Sequence, residues 1–323
     1  MTASTSHVIG VDLGGTKTAA GVVAPSGEVL ISETVPTLNR EGGEAILDAT
    51  ASLIARLLER AADAGIPVSG VGVGSAGVID PDAGTVVSAT DAIRGWAGTG
   101  LVSGLSARLS IPAASIRAVN DVHAHALGEA WLGAAAGTSS SLMVAFGTGV
   151  GGSFVLDGVP VLGHRFAGGH VGHFASPFAA FEGTPLPCVC GSAGHVEAVA
   201  SGPAIYESFL RIGGSAADAS DTRDVFGLAS SADDDGPAAA AARAAVELGA
   251  RAAGQAVGGL INILDPETVV VSGGLADAGE LWWKPMEAAV QQELLAPQVS
   301  VPVVRATLGN TAAIVGAAKL VLG

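Results

Sequence analysis

Apolar positions open the chain as short runs of aliphatic residues stopped by glycine. Val8, Ile9, Val11 and Leu13, then Ala19, Ala20, Val22 and Val23, flank Gly14, Gly15, Thr16 and Lys17. That pattern predicts a hairpin, strands 8–13 and 18–23, with a glycine-rich tip. Gly27 marks the next turn, residues 29–34 a third strand, and 44–64 a helix, since Ile46, Leu53, Ile54, Leu57 and Leu58 recur at helical spacing. A strand over 68–75 ends in Gly74 and Gly77, and a shorter one over 116–119 leads into Asn120 and Asp121, ahead of a helix over 123–132. The opening theme then returns: strand 140–146, a turn over 147–152 holding Gly147, Thr148 and Gly149, and strand 153–156. Residues 212–237, rich in Ser, Ala, Gly and Asp, read as a mobile loop with one helical piece over 222–229. An Ala-rich helix over 238–264, a strand over 268–271 closed by Gly273 and Gly274, and a final helix over 310–322 complete the reading. The chain reads as two related halves of α/β character.

Size and composition agree. At 323 residues the chain exceeds the roughly 250 at which single cores stop growing, so two domains with a cleft are expected. A 49% hydrophobic and 14% charged composition excludes disorder. No apolar run reaches the roughly 18–20 residues of a membrane span, because Asp265, Pro266 and Lys319 interrupt the best candidates. The start, from Met1 to His7, is polar and lacks the basic and apolar regions of a secretory signal, so a cytoplasmic location is expected. The net charge is −15 and the lysines are Lys17, Lys284 and Lys319, which leaves no basic stripe for nucleic acid.

Three constellations carry candidate chemistry. At the first hairpin tip glycines allow a phosphate close to the backbone, Thr16 offers a hydroxyl, and Asp12 at the strand end suits Mg²⁺ held through water; a plain tight turn is the alternative. The second tip, Gly147, Thr148 and Gly149, repeats the setting, and a third, Gly273 and Gly274, suits a nucleoside. Two such tips would clamp a triphosphate in a manner unlike a Walker A loop, whose spacing is missing. Asn120 and Asp121 stand at a strand end before a helix, where a carboxylate can take a hydroxyl proton and an amide can bind its neighbour, or where Asn120 simply caps the helix. Finally, His173, Cys188, Cys190 and His195 offer four ligands for a closed, structural zinc site, or are two free cysteines with incidental histidines. Trp282 and Trp283 read as packing residues, against a helix or a second subunit. His7, His123, His125 and His164 receive no role.

Together these motifs resemble the ROK family of repressors, open reading frames and sugar kinases, within the actin-like ATPase superfamily. The resemblance covers nearly the whole chain, and its most specific part is Gly169, His170, Gly172 and His173 followed by Cys188, Cys190, Gly191, Gly194, His195 and Glu197. It implies a two-lobed actin-like, duplicated ribonuclease-H-like fold with an interlobe cleft. The small lobe would span 1–119, completed by helix 310–323, and the large lobe 120–309, with the zinc motif. It implies an ATP-dependent kinase acting on the 6-hydroxyl of a hexose or N-acetylhexosamine, using ATP, Mg²⁺ and structural Zn²⁺, commonly as a homodimer. Asp12, Gly14, Gly15, Thr16 and Lys17 match the first phosphate loop, and Gly147, Thr148 and Gly149 the second, with Gly273 and Gly274 beside the nucleotide. Asp121 matches the catalytic base; Gly77, Asn120, His170, His173 and Glu197 match the sugar site; His173, Cys188, Cys190 and His195 match the zinc site. Two positions depart from the family: His195 stands for a third cysteine, and His170 for a glutamate. An imidazole donor at His170 suits an acetamido carbonyl and points to N-acetylglucosamine or N-acetylmannosamine ahead of glucose. The alternatives are a sugar sensor without turnover and a ROK-type transcriptional regulator, the latter disfavoured by the roughly seven residues ahead of the first strand.

Overall fold

The computed structural model describes residues 6–90, 93–231 and 236–322. Residues 1–5 of the polar start and 232–235 of the segment read as mobile lie outside the described residues. Two compact units emerge, one of residues 1–139, 153–169 and 307–323, the other of 140–152 and 170–306.

The first unit is built on strands β1 (His7–Leu13), β2 (Lys17–Val23) and β3 (Val29–Pro36), followed by helix α1 (Gly43–Asp63), strand β4 (Val68–Ser75), a small ribbon of β5 (Val78–Asp80) and β6 (Thr85–Ser88), helix α2 (Leu101–Leu109), strand β7 (Ile116–Asn120) and helix α3 (Asp121–Trp131). The main sheet runs β3-β2-β1-β4-β7; β1, β2 and β3 form an antiparallel meander, while β4 and β7 add in parallel beside β1. One face is covered by α1 and α2, with Leu53, Ile54, Leu57 and Leu105 fully buried against Ile9, Val11 and Val73.

The second theme begins with β8 (Ser140–Phe146), β9 (Val150–Leu156) and β10 (Val159–Pro160). After a hairpin of β11 (Ala180–Phe181) and β12 (Thr184–Pro185) come helices α4 (Glu197–Ala200), α5 (Gly202–Ile212), α6 (Thr222–Ser230) and α7 (Pro237–Leu264), then β13 (Thr268–Ser272), α8 (Glu280–Glu293) and β14 (Val303–Arg305). This sheet runs β10-β9-β8-β13-β14, with β13 parallel to both β8 and β14. It repeats the order of the first sheet, a meander extended by two parallel strands, so the recurrence read from the sequence is a real duplication. The Ala- and Gly-rich face of α7 lets α8 approach closely: a Cβ on Gly254 would strike the Met286 carbonyl, and one on Gly258 would lie 3.0 Å from the Val290 carbonyl. Trp282, on α8, is fully buried with its ring centroid 5.4 Å from that of Phe146.

Helix α9 (Ala312–Leu322) covers the other face of the first sheet. Its close approach is written in glycine. A Cβ on Gly10 of β1 would collide with the Ile314 carbonyl, one on Gly72 of β4 with the Ala317 carbonyl, and one on Gly316 with the Ala124 carbonyl of α3. Because α3 packs along α9 through these small residues, it belongs to the first unit, whose opening segment runs to residue 139.

Candidate functional site

In the first unit β1, β4 and β7 point the same way, so their C-terminal ends bring Asp12, Ser75 and Asn120 to one edge, with Asp12 opposite Gly74 and Ser75 opposite Asn120. Asp121 opens α3. Gly74 makes room for it, since a Cβ there would lie 2.7 Å from Ala124 Cβ and 3.4 Å from Asp121 Cα. The cap reading of Asn120 holds. Its Oδ1 accepts from the Val122 N–H at 2.9 Å as a helix cap, and its Nδ2 donates to the Gly77 carbonyl at 2.9 Å, with Gly77 at φ 98°. Asp121 Oδ1 also accepts from the Val122 N–H, at 2.9 Å. Burial raises the Asp121 carboxyl above the usual range, opposed by that backbone bond. Asp12 is pushed up to about 6, first by burial, then by the charge of Asp121, with Lys17 pulling the other way.

The tip between β1 and β2 is braced from behind. Thr37 Oγ1 donates to the Gly14 carbonyl at 2.8 Å, Asn39 Nδ2 to the Gly15 carbonyl at 2.8 Å, and the Thr37 N–H to the Thr16 carbonyl at 3.0 Å. The Gly14 N–H is used by the Lys17 carbonyl at 3.1 Å, whereas the N–H groups of Gly15 and Thr16 have no protein partner among the described residues. The tip therefore presents donors, as an anion cradle requires. Thr37 and Asn39 escaped sequence reasoning because nothing in their spacing sets them apart from ordinary loop residues. Lys17 is exposed, with Nζ 3.4 Å from Asn310 Oδ1.

In the second unit the turn is tighter than 147–152, because β9 already starts at Val150. Its bonds are Gly147 N–H to the Gly149 carbonyl (2.9 Å), Gly202 N–H to the Gly147 carbonyl (2.8 Å), and Val150 N–H to Glu197 Oε2 (2.7 Å). Here too the two N–H groups at the tip, those of Thr148 and Gly149, have no protein partner among the described residues. A cavity of about 700 Å³ opens beside the tip, lined by Thr148, Pro203, Arg223, Phe226, Gly274 and Leu275 among others. Gly273, at φ 88°, brings the third glycine pair against the Phe146 carbonyl, which the Leu275 N–H bonds at 3.1 Å. The segment read as mobile supplies a wall of this cavity through α6. Asp221 caps that helix, accepting from the N–H groups of Arg223 (2.8 Å) and Asp224 (3.0 Å), and Thr222 Oγ1 donates to the Gly202 carbonyl at 2.6 Å. The volume, the Phe226 ring and the free donors suit a nucleotide.

The same unit gathers the Cys/His motif. Ligand atoms of His173, Cys188, Cys190 and His195 all lie within 4.8 Å of one another, with Cys188 Sγ 3.6 Å from His173 Nδ1 and Cys190 Sγ 3.3 Å from His195 Nδ1. Bonds of about 2.3 Å to sulfur and about 2.0 Å to nitrogen at tetrahedral angles require S···N separations of about 3.5 Å, so the donor set fits zinc. Burial raises the Cys188 thiol, a penalty that a bound cation reverses. His170 is largely on the surface, with its ring centroid 6.1 Å from that of His173; partial desolvation of the ring and then the neighbouring His173 lower its pKa, against the charge of Glu197. Glu197 is buried at the start of α4. The structure thus groups Asp12, Gly14 to Lys17, Gly77, Asn120 and Asp121 in one unit, and Gly147 to Gly149, His170, His173, Glu197, Gly273, Gly274 and the metal cluster in the other.

Among the described residues no helix is long and apolar enough to cross a membrane. A glucokinase of Halalkalibacterium halodurans is 31% identical over 325 residues, 97% of this chain and 94% of its own. An N-acetyl-D-glucosamine kinase of Citrobacter koseri is 32% identical over 83% of this chain and 84% of its own. The crystal structure of a ROK family glucokinase from Streptomyces griseus, in complex with glucose and AMPPNP, superposes with a TM-score of 0.79 at 30% identity, covering 98% of this chain and 99% of that one. The actin-like fold implied by the motifs stands with that match. The model of the ROK family itself matches residues 8–323, so the chain belongs to the ROK family.

Proposed function

We propose that this chain transfers the γ-phosphoryl group of ATP to the 6-hydroxyl of glucose, with Asp121 as the base. The chain is an ATP-dependent sugar kinase, as its relatives over nearly its full length are. The observation that carries the mechanism is Asp121 itself: a carboxylate at a strand end, one oxygen held by the Val122 N–H, its pKa raised by burial so that it is a better proton acceptor than an exposed aspartate. As the sugar oxygen forms its bond to the γ-phosphorus and the bond to the ADP oxygen breaks, the hydroxyl proton passes to Asp121. Asn120 orients a neighbouring hydroxyl through its remaining amide hydrogen. Within the second unit the free N–H groups of Thr148 and Gly149 are the donors for phosphate oxygens and the cavity beside Phe226 takes the nucleoside; within the first, the free N–H groups of Gly15 and Thr16 are donors of the same kind.

Mg²⁺, when bound, neutralises charge on the phosphates. Asp12 is the residue suited to hold it, because burial and Asp121 push its carboxyl up to about 6 and the charge of Lys17 offsets them only in part. Zinc at His173, Cys188, Cys190 and His195 would fix the loop that carries His173 and Glu197; its role is structural.

Glucose is placed ahead of the N-acetylhexosamines to which His170 alone points, because glucokinases at 31–33% identity match over 97% of the chain and the N-acetylglucosamine kinases over 83%. The second reading rests on one feature, an imidazole at position 170, which can donate a hydrogen bond where a carboxylate only accepts. Initial rates of ADP release across glucose, mannose, N-acetylglucosamine and N-acetylmannosamine decide between them. Glucose is expected to give the highest kcat/KM; an N-acetylhexosamine at least tenfold better overturns the glucose assignment.

A further inference from the structure

Glu197 carries two observations that its assignment to sugar binding does not use. Its Oε2 accepts from the Val150 N–H at 2.7 Å, the first residue of β9 and the immediate end of the 147–149 tip. Oε2 is also the atom that a Cβ on Gly149 would meet, at 2.7 Å, so the glycine at that position keeps the carboxylate seated under the tip. Its Oε1 is buried and has no hydrogen-bond partner. An unpaired carboxylate oxygen in a buried setting costs free energy until a donor arrives. The two oxygens of one rigid, planar group therefore face two different tasks. One is already committed to the backbone of a candidate phosphate loop; the other awaits a donor.

We propose that Glu197 couples the two substrates energetically: a sugar hydroxyl donating to Oε1 fixes the carboxylate, and the carboxylate in turn fixes the Val150 N–H and the phosphate-binding tip in front of it. Sugar binding then prepays the ordering of the tip, so the nucleotide binds more tightly to the sugar complex than to the free protein, and the sugar more tightly to the nucleotide complex by the same factor. All the atoms of this link lie within the second unit. The inference rests on the kinase reading, in that it takes the 147–149 tip as a phosphate loop and Oε1 as a sugar contact. Glu197 acts here as a positioning residue for the tip.

Isothermal titration calorimetry on the full chain tests the link, using the non-hydrolysable nucleotide AMPPNP with Mg²⁺, titrated in the absence and presence of saturating glucose, and glucose titrated with and without AMPPNP. The wild type is expected to show a coupling factor of about fivefold or more, equal in both directions. Glu197→Asp keeps the charge but shortens the arm so that it cannot serve both tasks, and its coupling factor is expected to fall below about twofold, with zinc content unchanged. Deuterium exchange at the Val150 amide supplies a second readout: glucose alone is expected to slow it in the wild type and not in Glu197→Asp. If both ligands bind the wild type and each ignores the other, or if Glu197→Asp keeps the full coupling, the inference is wrong while the kinase reading stands. If glucose gives no heat at all, the glucose reading fails and the link falls with it.

Discussion

Replacing Asp12 by Asn separates what this residue costs the fold from what it gives to function. The Asp12 carboxyl rises from 3.8 to about 6 in the folded protein, chiefly through burial and then through the charge of Asp121. Between those values the native chain holds a proton that the unfolded chain has released, so stability falls as pH rises through the window and the loss is complete above it. The rise corresponds to about 3 kcal/mol at pH 7, before relaxation of the neighbours reduces it. Asn has nearly the same shape and no charge to desolvate. The unliganded variant is therefore expected to be more stable than the wild type by roughly 1–3 kcal/mol at pH 7, with the difference shrinking toward zero at pH 4. Activity is expected to fall, because the group suited to Mg²⁺ is gone. Urea unfolding at pH 4, 5, 6 and 7, run on both proteins without ligand, gives the stability difference directly, and Mg-ADP added to each is expected to raise the midpoint of the wild type more than that of the variant. An Asn variant that is less stable at pH 7, or a difference that does not change with pH, refutes the reasoning.

Other outcomes follow from the same geometry. Cys188→Ser is expected to lower bound zinc from one equivalent to a small fraction, measured by plasma mass spectrometry, and to lower the melting temperature; full zinc content in the variant contradicts the assigned ligand set. Gly72→Ala puts a methyl group onto the Ala317 carbonyl of α9, a backbone atom that cannot swing away, and is expected to cost at least about 1–3 kcal/mol in a denaturation midpoint. A variant as stable as the wild type there would mean that α9 does not pack so closely on β4.

Much of the fold was legible because its glycines and aliphatic runs each have one physical job. The two strand–glycine–strand openings appear as hairpins feeding sheets of the same order, and the Ala-rich run appears as α7. What stayed hidden was decided by tertiary contact. Helix α8 carries Pro285 inside it, a residue that argues against a helix, although Trp282, Trp283, Met286, Ala289 and Val290 share one buried face; Trp282 is buried against Phe146. Helix α6 answers to the helical piece read over 222–229, but its place as a wall of the cavity had no local sign; it is held there by Thr222 on the Gly202 carbonyl. At the candidate site, the carboxylates and the Cys/His cluster stand out by type and spacing, whereas the bracing groups Thr37 and Asn39 act through backbone carbonyls distant in sequence, which no local pattern encodes. His123, given no role, reaches the Gly168 carbonyl at 2.8 Å from a buried position.

The central claim is that Asp121 takes the proton as the phosphoryl group moves. The direct test is the rate of ADP release with Mg-ATP and glucose, wild type against Asp121→Asn, with glucose affinity measured in parallel by calorimetry. The variant keeps the Oδ1 acceptor for the Val122 N–H but has no basic oxygen, so kcat is expected to drop by roughly 10²–10⁴-fold while glucose still binds within a few-fold of the wild-type affinity. A variant that turns over at more than a tenth of the wild-type rate contradicts the account, and the base would then have to be sought elsewhere.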